Sequence, residues 1–183
     1  MQFVAIDVET ANYSINSICQ IGIVEYKQGK ISTLWSSLLD PLTSFNPFNV
    51  KVHGITKEKI AGCPTFKDIY PELLHCLTGK IVVSHTSFDK QAISAAALQN
   101  NLTPPTCTWL DSALIAKRAW LQFSRSGFGL GNLCQFLNFD FKHHDALEDA
   151  RACAFIVGQA IEKTGFSVEE WLTKVHEPLA KFK

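Results

Sequence analysis

Five side chains scattered along the chain carry the chemistry this sequence can do. Asp7 and Glu9 close the apolar run FVAIDVE, which reads as a strand. Residues i and i+2 of a strand project from one face, so these carboxylates stand side by side. Two like charges at the end of a buried strand repel and are poorly hydrated; they need raised pKa values, a basic partner or a cation. Oxygen donors at that density favour a hard ion, Mg²⁺ or Mn²⁺, over zinc. Taken alone, an Asp-x-Glu pair is better read as two solvated acids, because so short a pattern recurs by chance. Its company changes that reading. Asp89 follows the short apolar run Lys80–Ser84 in SHTSFD, where a helix begins. Strand ends of this kind are where α/β sheets gather their sites, although capping or first-turn stabilisation is a common use for such an Asp. In HHDALEDA, residues 143–150, His144 sits in the turn before a helix and Asp149 falls on its second turn. Asp149 lies beside the seam Ala150–Cys153–Ala154, where an uncompensated acid is costly. Asp145 and Glu148 read as solvated or capping residues.

The elements that must position these groups are legible in outline. Over Gln2–Glu9 both faces begin apolar, which predicts a central strand covered on both sides. Ile18–Tyr26 and Lys30–Leu39 are strands joined by Gln28-Gly29, a link suited to an antiparallel hairpin. The Pro-, Asn- and Ser-rich stretch from Asp40 to about Val52 reads as a loop. Thr65 can cap a helix to Leu77 that Pro71 should kink or delay. Lys80–Ser84 is a strand, Phe88–Asn101 a helix, Cys107–Leu110 a last strand, and Asp111 to about Leu121 a helix. Ser124–Gly131, with three glycines, reads as a mobile loop. From Asp145 to Lys163 a buried stripe recurs at helical spacing, and Ser167 caps a final helix through Glu177. The fold class is therefore α/β, with a mixed sheet flanked by helices.

A chain of 183 residues supports one domain without a disulfide or structural metal. Seventeen basic and seventeen acidic residues leave no formal net charge, which argues against a broad grip on long duplexes. The first ten residues have no basic segment, and the longest uncharged run, Gln91–Leu110, is broken by prolines and amides. Neither a signal peptide nor a membrane span is expected. The six cysteines are scattered with no CxxC pair. Reduced thiols, a cytoplasmic location and no zinc site follow as expectations.

In order along the chain, IDVET, SHTSFD and HHDALEDA resemble the three motifs of the DEDDh 3′–5′ exonucleases. That group contains RNase T and the proofreading epsilon subunit of DNA polymerase III. HGIT, His53–Thr56, and the opening IDVETAN are similar to the epsilon-like branch. The resemblance implies an RNase H-like fold: a five-stranded sheet of an antiparallel three-strand meander plus parallel strands. It implies an exonuclease domain over 1–165, with 166–183 as a C-terminal helix packed on it. It places Asp7, Glu9, Asp89 and Asp149 on the four acidic positions and His144 on the histidine. The tyrosine subclass is excluded, since none of Tyr13, Tyr26 and Tyr70 has an Asp four residues on. Two Mg²⁺ or Mn²⁺ ions are implied: Asp7, Glu9 and Asp149 around one, with Asp7 reaching a second that Asp89 helps to position. Neutral His144 is implied as general base for the attacking water, giving nucleoside 5′-monophosphates from a 3′ end.

The implied substrate is a DNA or RNA 3′ end, single-stranded in the expected case. Its implied contacts are the backbone at Thr10 and Ala11, the imidazole of His53, and Phe88 near the terminal nucleotide. Arg118, Arg125 and Lys142 are candidates for a basic rim. The second motif has Ser84-His85 where many members carry His-Asn, and His143 adjoins His144. No P-loop or dinucleotide fingerprint occurs. A catalytically silent nucleic-acid-binding module and a metal-dependent small-substrate phosphatase are the alternatives on the same fold. The presence of all five residues argues against the first.

Overall fold

In a computed structural model, which describes residues 2–182, five strands form one sheet. They are β1 (Gln2–Thr10), β2 (Ile18–Lys27), β3 (Lys30–Leu38), β4 (Ile81–Ser84) and β5 (Thr108–Asp111). Their order is β3-β2-β1-β4-β5. The pairs β1–β2 and β2–β3 are antiparallel, whereas β1–β4 and β4–β5 are parallel. This is the expected mixed sheet, with β1 at its centre. Gln28 and Gly29 join β2 to β3 with φ of +52° and +80°, the two positive angles of a type I′ hairpin turn.

Strand parity sorts the core into two layers. Phe3, Ala5, Val24, Tyr26, Val83 and Leu110 pack on one face beneath α4 (Ser112–Ala119), α5 (Leu130–Phe136), α6 (Ala146–Thr164) and α7 (Val168–Lys174). Val4, Ile6, Val8, Ile21, Ile23 and Val82 pack on the other face, under α2 (Phe66–Leu77) and α3 (Phe88–Gln99). The C-terminal segment joins the first layer through buried Val168, Trp171 and Val175.

Four expectations need correction. The stretch read as a loop contains α1, Pro47–His53, with Asn46 capping the Phe48 N–H and Pro47 in the first turn. Gly54 follows in the left-handed conformation. The Asn and Pro that suggest a loop, together with Gly54 just beyond it, are the start and stop signals of a two-turn helix. The glycine-rich loop ends earlier than expected, because α5 begins at Leu130. The final helix ends at Lys174 rather than Glu177. Pro71 does not delay α2, which starts at Phe66 under a capping box of Thr65 and Asp68. The carbonyl that Pro71 leaves without an intrahelical donor belongs to Lys67, an exposed residue that water can reach.

One close approach sets the position of α6. Gly22 lies opposite Asp7 in the β1–β2 ladder, and a Cβ there would fall 2.3 Å from the Leu147 nitrogen and 2.4 Å from the Ala146 carbonyl. The first turn of α6 therefore rests directly on β2 backbone. Gln20 strengthens the seat: its amide oxygen accepts the Ala146 N–H at 3.2 Å, and its amide nitrogen donates to Asp145 at 3.4 Å. Gly22→Ala is expected to cost at least the ~1–3 kcal/mol of core overpacking, lowering the melting temperature by roughly 5–10 °C. A shift below about 1 °C in thermal unfolding would mean that α6 is not seated there.

Candidate active site

The carboxylates expected to act together do converge. Asp7 and Glu9 extend from the C-terminal end of β1, on the face that carries α6. Asp149 enters from the first turn of α6, not the second, because the helix proper begins at Ala146 with Asp145 as its N-cap. Oxygens of Asp7, Glu9 and Asp149 lie within 4.8 Å of one another. Asp89, in the first turn of α3, is 2% exposed, and its Oδ1 accepts the Val8 N–H at 3.0 Å, tying α3 to β1 between the two strand acids. Asp149 is 3% exposed; its Oδ2 accepts the His144 N–H at 2.9 Å, while its buried Oδ1 has no hydrogen-bond partner.

These groups line a cleft of about 290 Å³ with His85, Phe88, His143 and His144. His144 adopts a positive φ of 66°, which turns the chain into α6 and aims its N–H at Asp149. The His143 and His144 rings stack at 4.0 Å and 14°. His143 Nε2 stands 4.0 Å from the orphaned Asp149 oxygen, so both imidazoles flank the acids.

Of the expected substrate contacts, Phe88 alone lines this cleft among the described residues. Phe88 is 42% exposed on the cleft wall. Ala11 is fully buried, with its N–H bonded to Ser17 and its carbonyl to Asn46. The Thr10 carbonyl lies 2.9 Å from the Asn49 amide nitrogen and 3.2 Å from His53 Nε2. His53 Nδ1 accepts the Ile55 N–H at 3.0 Å, which leaves Nε2 as the proton-bearing atom and commits both ring nitrogens within the protein. Nothing in the spacing of Asn49 along the sequence marks it for this contact. Gln20 was likewise invisible, since its partner lies 126 residues away. Of the candidate basic residues, Arg118 donates to the Glu177 and Leu114 carbonyls and so clamps the C-terminal segment. Lys142 pairs with Asp145 at 3.3 Å, and Arg125 is exposed.

Burial and mutual repulsion dominate the electrostatics. Desolvation pushes Glu9 up to about 8, with Asp149 and Asp89 adding to it. Desolvation carries Asp89 and Asp149 to about 7 each against the lowering effect of their backbone donors. Asp7 is raised well above the ordinary carboxylate range by burial, then by Asp89, Asp149 and Glu9. His53, His85 and His143 are lowered by burial, so they favour neutral imidazoles. Three converging carboxylates and an unpartnered buried carboxylate oxygen fit a hard divalent cation, which would supply the missing positive charge.

Fold and site together define a nuclease domain of RNase H-like architecture. Residues 4–157 match the exonuclease family that RNase T represents, and the chain belongs to that family. Among curated relatives, the PolC-type DNA polymerase III of Caldanaerobacter subterraneus subsp. tengcongensis is 30% identical over 166 residues, 88% of this chain and 12% of the polymerase. The PolC-type polymerase of Thermotoga petrophila is 25% identical over 87% of this chain and 12% of its own length. This chain thus spans about an eighth of those relatives. Two solved structures share its fold. Exonuclease X in complex with 5′-overhanging duplex DNA has a TM-score of 0.77 and 23% identity, covering 94% of this chain and 99% of its own. The nuclease domain of 3′hExo, a DEDDh family member bound to rAMP, has a TM-score of 0.76 and 16% identity, covering 89% and 92%.

The raised carboxylates couple stability to pH and metal. Their folded pKa values lie above the ordinary value near 4, so the folded state holds extra protons between about pH 4 and 8. Their contribution to stability is complete below that window and is lost as pH rises through 7–8. The metal-free protein should melt several degrees lower at pH 8 than at pH 5.5. Mg²⁺ should restore the difference at pH 8, with a smaller increment at pH 5.5, where protons compete for the same oxygens. A Mg²⁺ increment independent of pH would detach the cation from these carboxylates.

Proposed function

We propose that this domain is a metal-dependent 3′–5′ exonuclease that hydrolyses nucleic-acid phosphodiesters to nucleoside 5′-monophosphates. The observation that carries the reading is the meeting of Asp7, Glu9 and Asp149 oxygens within 4.8 Å, beside the His144 imidazole in an open cleft. Asp7, Glu9 and Asp149 would hold one Mg²⁺ or Mn²⁺ ion, and Asp7 with Asp89 a second. Four carboxylates against two divalent ions make a near-neutral site that accepts a phosphodiester. When bound, the ions supply charge stabilisation to the attacking and leaving oxygens.

The remaining work falls to the protein. His144, held by its backbone bond to Asp149, takes the proton of the attacking water as general base. Val8 N–H fixes one Asp89 oxygen and leaves the other free for the cleft. Phe88 offers an exposed ring on which the terminal base can stack, a contact that tolerates any base. Thr10 and Ala11 shape the end of β1 where the 3′ terminus would lie, with His53 buttressing the Thr10 carbonyl. Exonuclease X is described with DNA and 3′hExo with rAMP, which supports a nucleic-acid 3′ end, DNA or RNA, as substrate here. A single strand suits a neutral chain whose cleft offers one exposed aromatic ring.

Single- and double-stranded DNA and RNA oligonucleotides, blocked in turn at the 3′ and 5′ ends, test this in Mg²⁺ or EDTA against a simple phosphomonoester. Mononucleotide release that requires Mg²⁺ and a free 3′ end is expected. Hydrolysis of the phosphomonoester alone would make the protein a phosphatase. His144→Ala should lower kcat by about 10²–10⁴ while calorimetric Mg²⁺ binding persists. Unchanged turnover would remove His144 from the mechanism.

A further inference from the structure

The Ser84-His85 pair, where the sequence departs from the pattern many family members share, builds a contact that the exonuclease reading leaves unused. His85 leaves the end of β4 and lines the cleft. Its Nδ1 lies 2.8 Å from Ser112 Oγ, at the start of α4, and its Nε2 lies 2.9 Å from the Phe128 carbonyl. Ser112 is fully buried and receives the Cys153 thiol of α6 at 3.4 Å. With the thiol as donor, the one hydroxyl proton of Ser112 is free for His85 Nδ1. His85 Nε2–H is then aimed at the Phe128 carbonyl. The network thus fixes the tautomer in one sense, from α6 through α4 to residues 124–129. Burial keeps the ring neutral, as this arrangement requires.

The segment so held has little else to hold it. Residues 124–129 contain Gly127 at φ +74° and Gly129, and Arg125, Ser126, Gly127 and Gly129 are exposed. Its ends are tied by backbone, the Ser124 N–H donating to the Leu121 carbonyl at 3.1 Å and the Gly129 carbonyl accepting the Leu133 N–H at 3.1 Å. Between them, the Lys117 ammonium lies 3.6 Å from the centroid of the Phe128 ring. Leu130, the next residue, lines the cleft, while Leu130, Leu133 and Cys134 root α5 in the core. Loss of the His85 bond would therefore free the segment without unseating α5.

We propose that His85 is a positioning residue: it pins residues 124–129 beside the cleft, in the run that leads into the cleft-lining Leu130, and thereby sets affinity for the substrate strand. The kinetic half of this inference rests on the exonuclease reading; the pinning does not. The test compares wild type, His85→Ala, His85→Gln and Ser112→Ala. His85→Gln keeps a side-chain N–H within reach of the Phe128 carbonyl, and Ser112→Ala removes only the far anchor. In His85→Ala, trypsin should cut after Arg125 several-fold faster, because the segment opens more often. KM for a 3′-labelled oligonucleotide should rise about three- to tenfold, the ratio one neutral hydrogen bond represents, with kcat changed less than KM. Most of both effects should reverse in His85→Gln, and Ser112→Ala should fall between. Unchanged proteolysis and KM would overturn the proposal, as would a fall in kcat at constant KM, which would place His85 in the chemistry. Should His85→Ala lose its folded circular dichroism, His85→Gln and Ser112→Ala decide by the same criteria. If wild type cuts no oligonucleotide, the exonuclease reading fails and proteolysis alone still decides the pinning.

Discussion

The structure is organised around carboxylates that repel one another. Asp7, Glu9, Asp89 and Asp149 occupy one small region, and two of them are almost wholly buried. Among the described residues no Lys or Arg side chain enters the group; what opposes the repulsion is backbone. Asp89 and Asp149 each sit in the first turn of a helix, where the macrodipole and unpaired N–H groups favour negative charge. Each also accepts one backbone N–H, from Val8 and His144. These donors hold the acids without neutralising them, as the upward pKa shifts show. The site is therefore rigid and electrically unfinished, a state that suits a metal ion better than a salt bridge.

Such a site needs elements that approach more closely than side chains normally allow. β1 supplies two acids because it is central, so that its end emerges between two helical layers. α6 brings the third by resting on backbone at Gly22, and it can lie that close because Ala146, Ala150, Ala152, Ala154 and Ala160 are small and buried along it. Gly158 repeats the device further along, where a Cβ would meet the Tyr26 ring at 2.7 Å. Packing and chemistry share one cause here. The small residues of α6 and β2 set the distance between Asp149 and Asp7.

Much of this was legible in the sequence, and what was not follows a physical pattern. Alternation over Phe3–Glu9 fixes both the covered strand and the common face of Asp7 and Glu9, since period two is rigid. The stripe from Ala150 to Ile161 spans enough turns to reveal a helix. α1 and α5 span seven residues each, too few for a period to emerge, and their Asn, Pro and Gly signals also occur in loops. Asp149 falls in the first turn rather than the second because Asp145 caps the helix instead of opening it, a difference that sequence alone does not encode. Asn49 and Gln20 act on partners 39 and 126 residues away, and no local pattern encodes such contacts. Position near the acid does not separate His143 from His144: the two rings stack, and both stand within reach of Asp149.

What distinguishes the neighbours is backbone rather than ring position. His144 holds a φ of +66°, a conformation that costs a residue with a Cβ on the order of 1–3 kcal/mol. Its N–H bond to the buried Asp149 carboxylate is charge-assisted when that acid is ionised and can offset much of the cost. The residue is thus placed by the acid it stands beside, and the acid keeps its second oxygen free because the first is occupied by that backbone. His143 has no such tie: it is exposed, rests against Gly131, and reaches Asp149 only at 4.0 Å. The five-residue interval from His144 to Asp149 is therefore a mechanical requirement. It is the span over which one left-handed residue and one helical turn bring a backbone donor onto the carboxylate.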